Sequence, residues 1–171
     1  MEQKAKVCNI KALGYLARLA DGGLRDAITM LDKVMSLNDR ITVESVVKAL
    51  GSTDYSVFFK LTNAIIDCKE DVVIDIVENI YNEGADLKQF VKQYLMFLLD
   101  INKYAIFKNF KYVQIPDIYS KEIESVVKGV ELKFLKYLLD QINTLNNDIK
   151  WESQVKPIVE MKFLVLSRDE V

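Results

Sequence analysis

The chain has 171 residues, half of them hydrophobic, and a net charge of −2. This length and composition exclude a disordered chain, and the near-neutral charge argues against charge-driven binding of nucleic acid by the chain alone. Histidine is absent, and the only cysteines are Cys8 and Cys68, both interpreted as helical. These counts argue against a zinc site, a disulfide scaffold and Ser-His or Cys-His catalysis. Neither a signal peptide nor a membrane span is predicted, so we expect a cytoplasmic protein without a membrane partner.

Two helices with a glycine break between them are predicted first. Apolar spacing predicts a helix over about residues 10–20 with a buried face at Ile10, Leu13, Leu16, Ala17 and Ala20. Gly22 and Gly23 then interrupt the pattern. A second helix follows at about residues 24–37, with a buried stripe of Leu24, Ala27, Ile28, Leu31, Val34 and Met35.

A third short helix and a domain boundary are predicted next. Thr42 is a suitable N-cap for a helix over residues 43–50, although Ser45 replaces the Glu of a full capping box. Gly51 ends this helix, and we place the domain boundary there, between residues 1–51 and 52–171. The first domain is too small for much of a core of its own, so we expect it to lean on a neighbour that lies outside this chain.

The second domain is predicted to be a bundle of roughly five helices. They cover about residues 54–68, 71–82, 86–107, 120–145 and 152–166, and Gly129 is a possible break in the fourth. Residues 108–116 are interpreted as a connection and 146–148 as a loop. Trp151 is expected to be a packing anchor. No strand pair is predicted, so the fold class is all-α.

Aromatic residues recur at helical spacing in this second domain. They could form a stacking platform for single-stranded nucleic acid, but packing in the core and at interfaces is the favoured interpretation. The residues concerned are Phe58, Phe59, Phe90, Tyr94, Phe97, Phe107 and Phe110.

Arg25 is the candidate for chemistry. It lies in the first turn of the second helix, where the helix dipole disfavours a cation. An ion pair with Asp21 or Asp26 would be a purely structural explanation. An anion such as phosphate is the other, because free backbone amides and a guanidinium fork would both bind it.

The sequence around Arg25 resembles a known family. Residues 12–33 resemble the lid of the gamma/tau subunit of the bacterial DNA polymerase III clamp loader, an AAA+ ATPase, and residues 22–27 match its Gly-Gly-Leu-Arg-Asp-Ala motif position by position. Residues 41–51 resemble the end of that lid, and residues 84–90 resemble the Gly-x-Asp-Leu-x-x-Phe segment of the collar that follows it. The resemblance implies a partial lid followed by a helical collar.

This resemblance assigns a role to Arg25. It corresponds to the sensor 2 arginine, which contacts the phosphate of a nucleotide bound by the ATPase core. Gly22 and Gly23, which bend the chain between the two helices, are the predicted hinge. The sequence contains no phosphate-binding loop, Walker B run or zinc module, and the first lid helix is expected to be truncated before Met1. We therefore expect no catalytic or metal-binding residues, no cofactor and no enzymatic activity in this chain alone. ATP and Mg²⁺ belong to the parent protein by resemblance.

The function implied is assembly of the clamp loader. The collar would join other subunits (gamma/tau, delta and delta-prime), a homo-oligomer is possible, and the sliding clamp and primed DNA would be contacted only through the full complex. The alternatives are the lid and helical tail of another AAA+ ATPase and a helical scaffold with no nucleotide link. Arg25 would be incidental in the scaffold.

Overall fold

The computed structural model describes residues 7–20, 23–50 and 55–168, without the side chains of Val7 and Arg18. This part of the chain is mostly helical, which confirms the all-α prediction. Its nine α-helices are α1 (Ile10–Leu19), α2 (Leu24–Leu37), α3 (Val43–Leu50), α4 (Tyr55–Ile66), α5 (Glu70–Asn82), α6 (Leu87–Phe107), α7 (Ser120–Gly129), α8 (Leu132–Asp148) and α9 (Val155–Leu166).

One short strand pair departs from the sequence prediction. Strand β1 (Val7–Cys8) pairs in parallel with β2 (Arg40–Ile41), and each strand has two residues. Cys8 therefore lies in a strand, and Cys68 lies just beyond α4 with a φ of 53°. The prediction that both cysteines lie in helices is wrong. Such a short pairing between distant residues leaves too little alternation in the sequence to be detected.

The described residues divide into two compact units. The first contains those up to residue 50 together with Gln114–Pro116, and the second contains those of Tyr55–Val113 and Asp117 onward. In the first unit, α1, α2 and α3 surround a small core. Its fully buried side chains include Ala12, Leu16, Val34, Ile41, Val46 and Ile115.

The start of α3 has a complete reciprocal cap. The Ser45 amide donates to Thr42 Oγ1 at 3.2 Å, and the Thr42 amide donates to Ser45 Oγ at 2.9 Å. Ser45 thus takes the place of Glu in a capping box and satisfies a helix-end amide in the same reciprocal way.

The buried faces predicted for α1 and α2 are partly wrong. In α1 the face is formed by Ala12, Tyr15, Leu16 and Leu19, whereas Ile10, Leu13 and Ala17 are exposed. In α2 the only buried side chain is Val34, and three of the other apolar residues are exposed, namely Leu24, Ile28 and Leu37. Both helices carry apolar residues on more than one face, so spacing alone could not choose the face that packs.

An aromatic core holds the second unit together. Phe58 lies within 5.7 Å of the ring centroids of Phe90, Tyr94 and Phe97, which lie at helical spacing on α6. Rings packed at these separations gain contact energy beyond their area burial. The packing prediction is thus confirmed for the buried members of the predicted set, which are Phe58, Phe59, Phe90, Tyr94 and Phe97.

Helices α6 and α8 also share a buried polar contact. Asn102 Nδ2 donates to the Leu98 carbonyl at 2.9 Å and to the Leu135 carbonyl at 3.0 Å. The second bond crosses from α6 to α8. It fixes the register of the two helices, because a buried amide loses stability if a shift breaks its hydrogen bonds.

The C-terminal third of the chain differs most from the prediction. Residues 120–148 form two helices that separate after Gly129, where a break was predicted as possible, and the second unit thus has six α-helices where roughly five were predicted. The Asn-Asn-Asp run predicted as a loop is the last turn of α8, because Ile142, Leu145 and Ile149 continue the buried face past it. A 3₁₀ turn (Ile149–Trp151) follows, and the last helix begins at Val155 rather than Glu152. Trp151 is 87% exposed, so its predicted anchoring role is wrong.

Candidate functional site

The N-terminus of α2 is the site that the sequence pointed to. Gly23 is its N-cap, and its amide donates to the Ala20 carbonyl at 2.9 Å. A Cβ at Gly23 would lie 3.1 Å from that carbonyl oxygen and 3.0 Å from Asp26 Oδ2, so a larger residue would strain the turn. The φ of −75° is open to any residue, and close approach rather than backbone freedom explains this glycine. Gly22, the other predicted hinge residue, lies outside the described residues.

Arg25 is exposed in the first turn of α2. In the part of the chain that the structure describes, no carboxylate forms an ion pair with it, which leaves the suggested pairing with Asp26 without support. Asp21, the other suggested partner, lies outside the described residues. The N-cap of α2 makes no side-chain hydrogen bond. The guanidinium and the uncapped amides therefore lie at the same helix end, where an anion would be favoured.

Apolar side chains flank Arg25 on α2. Leu24 is 75% exposed and Ile28 is 50% exposed. Large exposed aliphatic residues grouped around a cation are typical of a surface that contacts another protein. The sequence assigned both residues to the core, so this surface was not predicted.

The second unit has an apolar groove along α6 and α8. Its volume is about 490 Å³, and Leu99 in it is 39% exposed. Lys136 and Asp140 add one charge of each sign to its lining. The full lining is Leu95, Met96, Leu99, Lys136, Leu139, Asp140 and Asn143. Leu95, Met96 and Leu99 form a second apolar stripe on α6, beside the residues that are buried in the core. This stripe is the sequence signal that could have indicated the groove.

The described residues contain neither a candidate metal site nor a candidate membrane span. No group of three or more His, Cys, Asp or Glu side chains there could hold a metal ion. Within the same residues, no helix is both long and apolar enough to cross a membrane.

A family model supports the resemblance seen in the sequence. The model described as DNA polymerase III subunits gamma and tau domain III matches residues 41–168, which is most of the chain. The match covers nearly all of the second unit, including the α6–α8 groove, and begins after Arg25.

Curated relatives give the same identification. The chain is 20% identical over 151 residues to the DNA polymerase III subunit tau of Bacillus subtilis, covering 88% of this chain and 27% of that protein. It is 24% identical over 161 residues to the gamma/tau subunit of Mycoplasma genitalium, covering 93% and 26%. It is 27% identical over 89 residues to the tau subunit of Salmonella typhimurium, covering 52% and 14%. The chain thus spans about a quarter or less of the length of these relatives.

A solved structure shows the same fold. The clamp loader delta protein of Bacillus subtilis superposes with a TM-score of 0.56 at 18% identity, covering 96% of this chain and 52% of that one. Identity this low supports the fold alone. The family match favours a clamp-loader subunit over the tail of another AAA+ protein. On the match over residues 41–168, the chain belongs to the family of the DNA polymerase III gamma and tau subunits and carries their domain III.

Proposed function

We propose that this chain is an assembly module of the DNA polymerase III clamp loader. The second unit is the collar and joins gamma/tau, delta and delta-prime subunits. The first unit is the lid and couples the ATP state of the complex to loading of the sliding clamp. The observation that carries the proposal is the domain III match over residues 41–168 together with the exposed groove on α6 and α8.

The groove has the properties that an assembly surface needs. Its aliphatic side chains come from α6 and α8, the two helices whose register Asn102 fixes, so the surface is preformed. Covering apolar area stabilises a complex by roughly 25 cal/mol per Å² before the costs of association. Lys136 and Asp140 in the lining add the charged groups that accompany apolar side chains in a subunit interface.

Complex formation tests the assembly proposal. The purified chain is mixed with delta and delta-prime subunits of the same organism, and the mass of the product is measured by light scattering after size exclusion. We expect a complex of fixed stoichiometry. A chain that associates neither with itself nor with any of these subunits would contradict the collar assignment.

The lid role depends on Arg25. ATP bound by the ATPase core would supply a terminal phosphate. An exposed arginine at a helix N-terminus would attract the negative charge of this phosphate. Arg25 would hold phosphate oxygens in its fork, and the exposed Leu24 and Ile28 beside it would rest on the core. Among the residues that the structure describes, no carboxylate pairs with Arg25 and would compete with the phosphate. Loss of the phosphate would then weaken the attachment of the lid.

Substitution of Arg25 tests this role against the alternative of a helical scaffold. In the full-length subunit, Arg25→Ala is expected to impair ATP-dependent clamp loading at least tenfold, since charge-assisted contacts to phosphate contribute about 1.5–3 kcal/mol. Arg25→Lys retains the positive charge but not the guanidinium fork, so its clamp-loading rate should lie between those of the unmodified subunit and Arg25→Ala. Thermal stability of this chain should hardly change. Unimpaired loading by Arg25→Ala would support the scaffold, and loss of folding would make the residue structural.

A further inference from the structure

A basic and aromatic segment follows the core of α6 and has no role in the assembly proposal. Residues 103–112 contain three lysines, four aromatic residues and no acidic residue. The segment has a net charge of +3. Because the whole chain has a net charge of −2, the rest of the chain has a net charge of −5. Positive charge is thus concentrated locally in an otherwise acidic chain.

The structure holds this segment in a defined turn. Helix α6 ends at Phe107, and Lys108 caps it in a left-handed conformation with a φ of 52°. Asn109 braces the turn, because its Nδ2 donates to the Phe107 carbonyl at 3.1 Å and its Oδ1 accepts from the Lys111 amide at 3.1 Å. Val113, which is fully buried, anchors the far end.

Two aromatic rings of the turn face solvent. Phe107 is 53% exposed and Tyr112 is 46% exposed, and their centroids lie 5.1 Å apart with the planes inclined at 54°. The neighbouring Ile106 is 51% exposed. These rings are not part of the aromatic core, so for Phe107 packing in the core is wrong, and packing at an interface stays a prediction.

The lysines beside these rings carry positive charge that the described residues do not neutralise. Lys108 and Lys111 are both exposed, and no described carboxylate forms an ion pair with either. Lys111 Nζ lies 5.2 Å from the centroid of the Tyr112 ring. Lys103, in contrast, pairs with Asp100 at 3.2 Å. The turn therefore offers two cations next to two half-exposed aromatic rings.

An acid does lie near the base of the turn. Burial and the nearby Glu124 carboxylate on α7 raise the pKa of Tyr104, which packs on Phe110 with the ring centroids 4.5 Å apart. Glu124 also pairs with Lys128 at 3.7 Å, and this cation offsets its charge.

We propose that the turn of residues 107–112 binds single-stranded nucleic acid, with Phe107 and Tyr112 stacking on bases and Lys108 and Lys111 contacting phosphates. A single strand exposes both base faces and phosphates, which is the combination that rings and lysines recognise together. A duplex hides its base faces, and an acidic peptide offers charge without stacking bases. Binding of this kind is separate from subunit assembly and requires no other subunit.

Fluorescence anisotropy with a labelled oligothymidylate of about 12 nucleotides, within the range of a single small binding module, tests the proposal. The probe is titrated with the purified chain at low salt. Phe107→Ala with Tyr112→Ala should weaken binding at least tenfold, and Phe107→Trp should retain it. For Lys108→Gln with Lys111→Gln, the slope of log K against log salt should shrink by about 1.4, which is 0.7 per lost phosphate contact.

Trp151→Ala provides the matched control. Trp151 is an exposed aromatic residue with a lysine, Lys150, 5.5 Å from its ring, on a different surface segment. The Trp151→Ala variant should bind the oligonucleotide as tightly as the unmodified chain does. Equal losses in Trp151→Ala and in the turn variants would overturn the proposal, as would absence of binding at low salt. Equally tight binding of duplex DNA or of a polyglutamate peptide, unaffected by Phe107→Ala, would also overturn it. Circular dichroism of each variant should match that of the unmodified chain.

Discussion

The hydroxyl of Tyr94 lies 3.0 Å from the hydroxyl of Thr62, and both side chains are fully buried. Thr62 also donates to the Phe58 carbonyl at 2.8 Å, so its proton is used within α4 and Tyr94 must donate to Thr62. Burial raises the pKa of the Tyr94 phenol well above its ordinary value and keeps this donor protonated. The bond joins α4 to α6 in the unit proposed to be the collar.

The two partners of this bond should respond unequally to removal. Tyr94→Phe removes a donor while Thr62 keeps its bond to Phe58, and we expect a loss of about 0.5–1.5 kcal/mol in the free energy of unfolding. Thr62→Val leaves the Tyr94 hydroxyl buried without a partner and should cost about 1–3 kcal/mol. Urea unfolding of both variants measures the difference. Tyr94→Phe as the more damaging change would reverse the assigned direction of the bond.

The reciprocal cap of α3 makes a second prediction. Thr42→Ala removes the acceptor for the Ser45 amide and should destabilise the first unit by about 1 kcal/mol. Ser45→Glu can reach the Thr42 amide as in a full capping box, and should leave stability near that of the unmodified chain. Hydrogen exchange of the α3 amides measures both effects. Unchanged protection in Thr42→Ala would show that the cap is dispensable.

An ion pair between α5 and α9 predicts a dependence on pH. Lys156 Nζ donates to Glu78 Oε1 at 2.8 Å, and this hydrogen bond is the main reason that the pKa of Glu78 lies below its ordinary value of 4.5. A lowered pKa in the folded state contributes stability above pH 4.5, and this contribution is lost as pH falls through the folded value.

Glu78→Gln should therefore flatten part of the acid response. Between about pH 5 and about pH 3, the Tm of the unmodified chain should fall more steeply than that of Glu78→Gln. Lys156 keeps Glu160 as a partner at 3.5 Å in this variant, so the packing of α9 should survive. Glu152→Gln, which removes another exposed carboxylate, serves as the control. Parallel Tm curves for Glu78→Gln and the unmodified chain would rule out a contribution from the pair.

The sequence predicted the helices better than their surfaces. The bounds of α2 and α3 agree with prediction, because a glycine or a capping residue marks their ends. The exposed Leu24 and Ile28 could not be predicted, since apolar spacing shows that a face exists and not which neighbour covers it. The placement of Trp151 failed for a related reason, because an aromatic residue packs only where tertiary structure provides a partner.

The candidate site was predicted in part. A local motif was sufficient to single out Arg25, whereas the groove around Leu99 draws on two helices that are distant in the sequence and appears only once α6 and α8 have packed. The role of Arg25 as sensor 2 and that of Gly22 and Gly23 as a hinge stay predictions.

The most direct test of the assembly claim targets Leu99. The purified chain, Leu99→Asp and the control Met161→Asp are each mixed with delta and delta-prime subunits, and the mass of the complex is measured by light scattering. Leu99 lies in the α6–α8 groove, and Met161 is an exposed apolar residue of α9, at 62%. We expect the unmodified chain and Met161→Asp to form the complex and Leu99→Asp to elute as free subunit, since a buried unpaired charge costs several kcal/mol. Complexes of equal mass and stability from all three would contradict the assignment of the groove as the subunit interface.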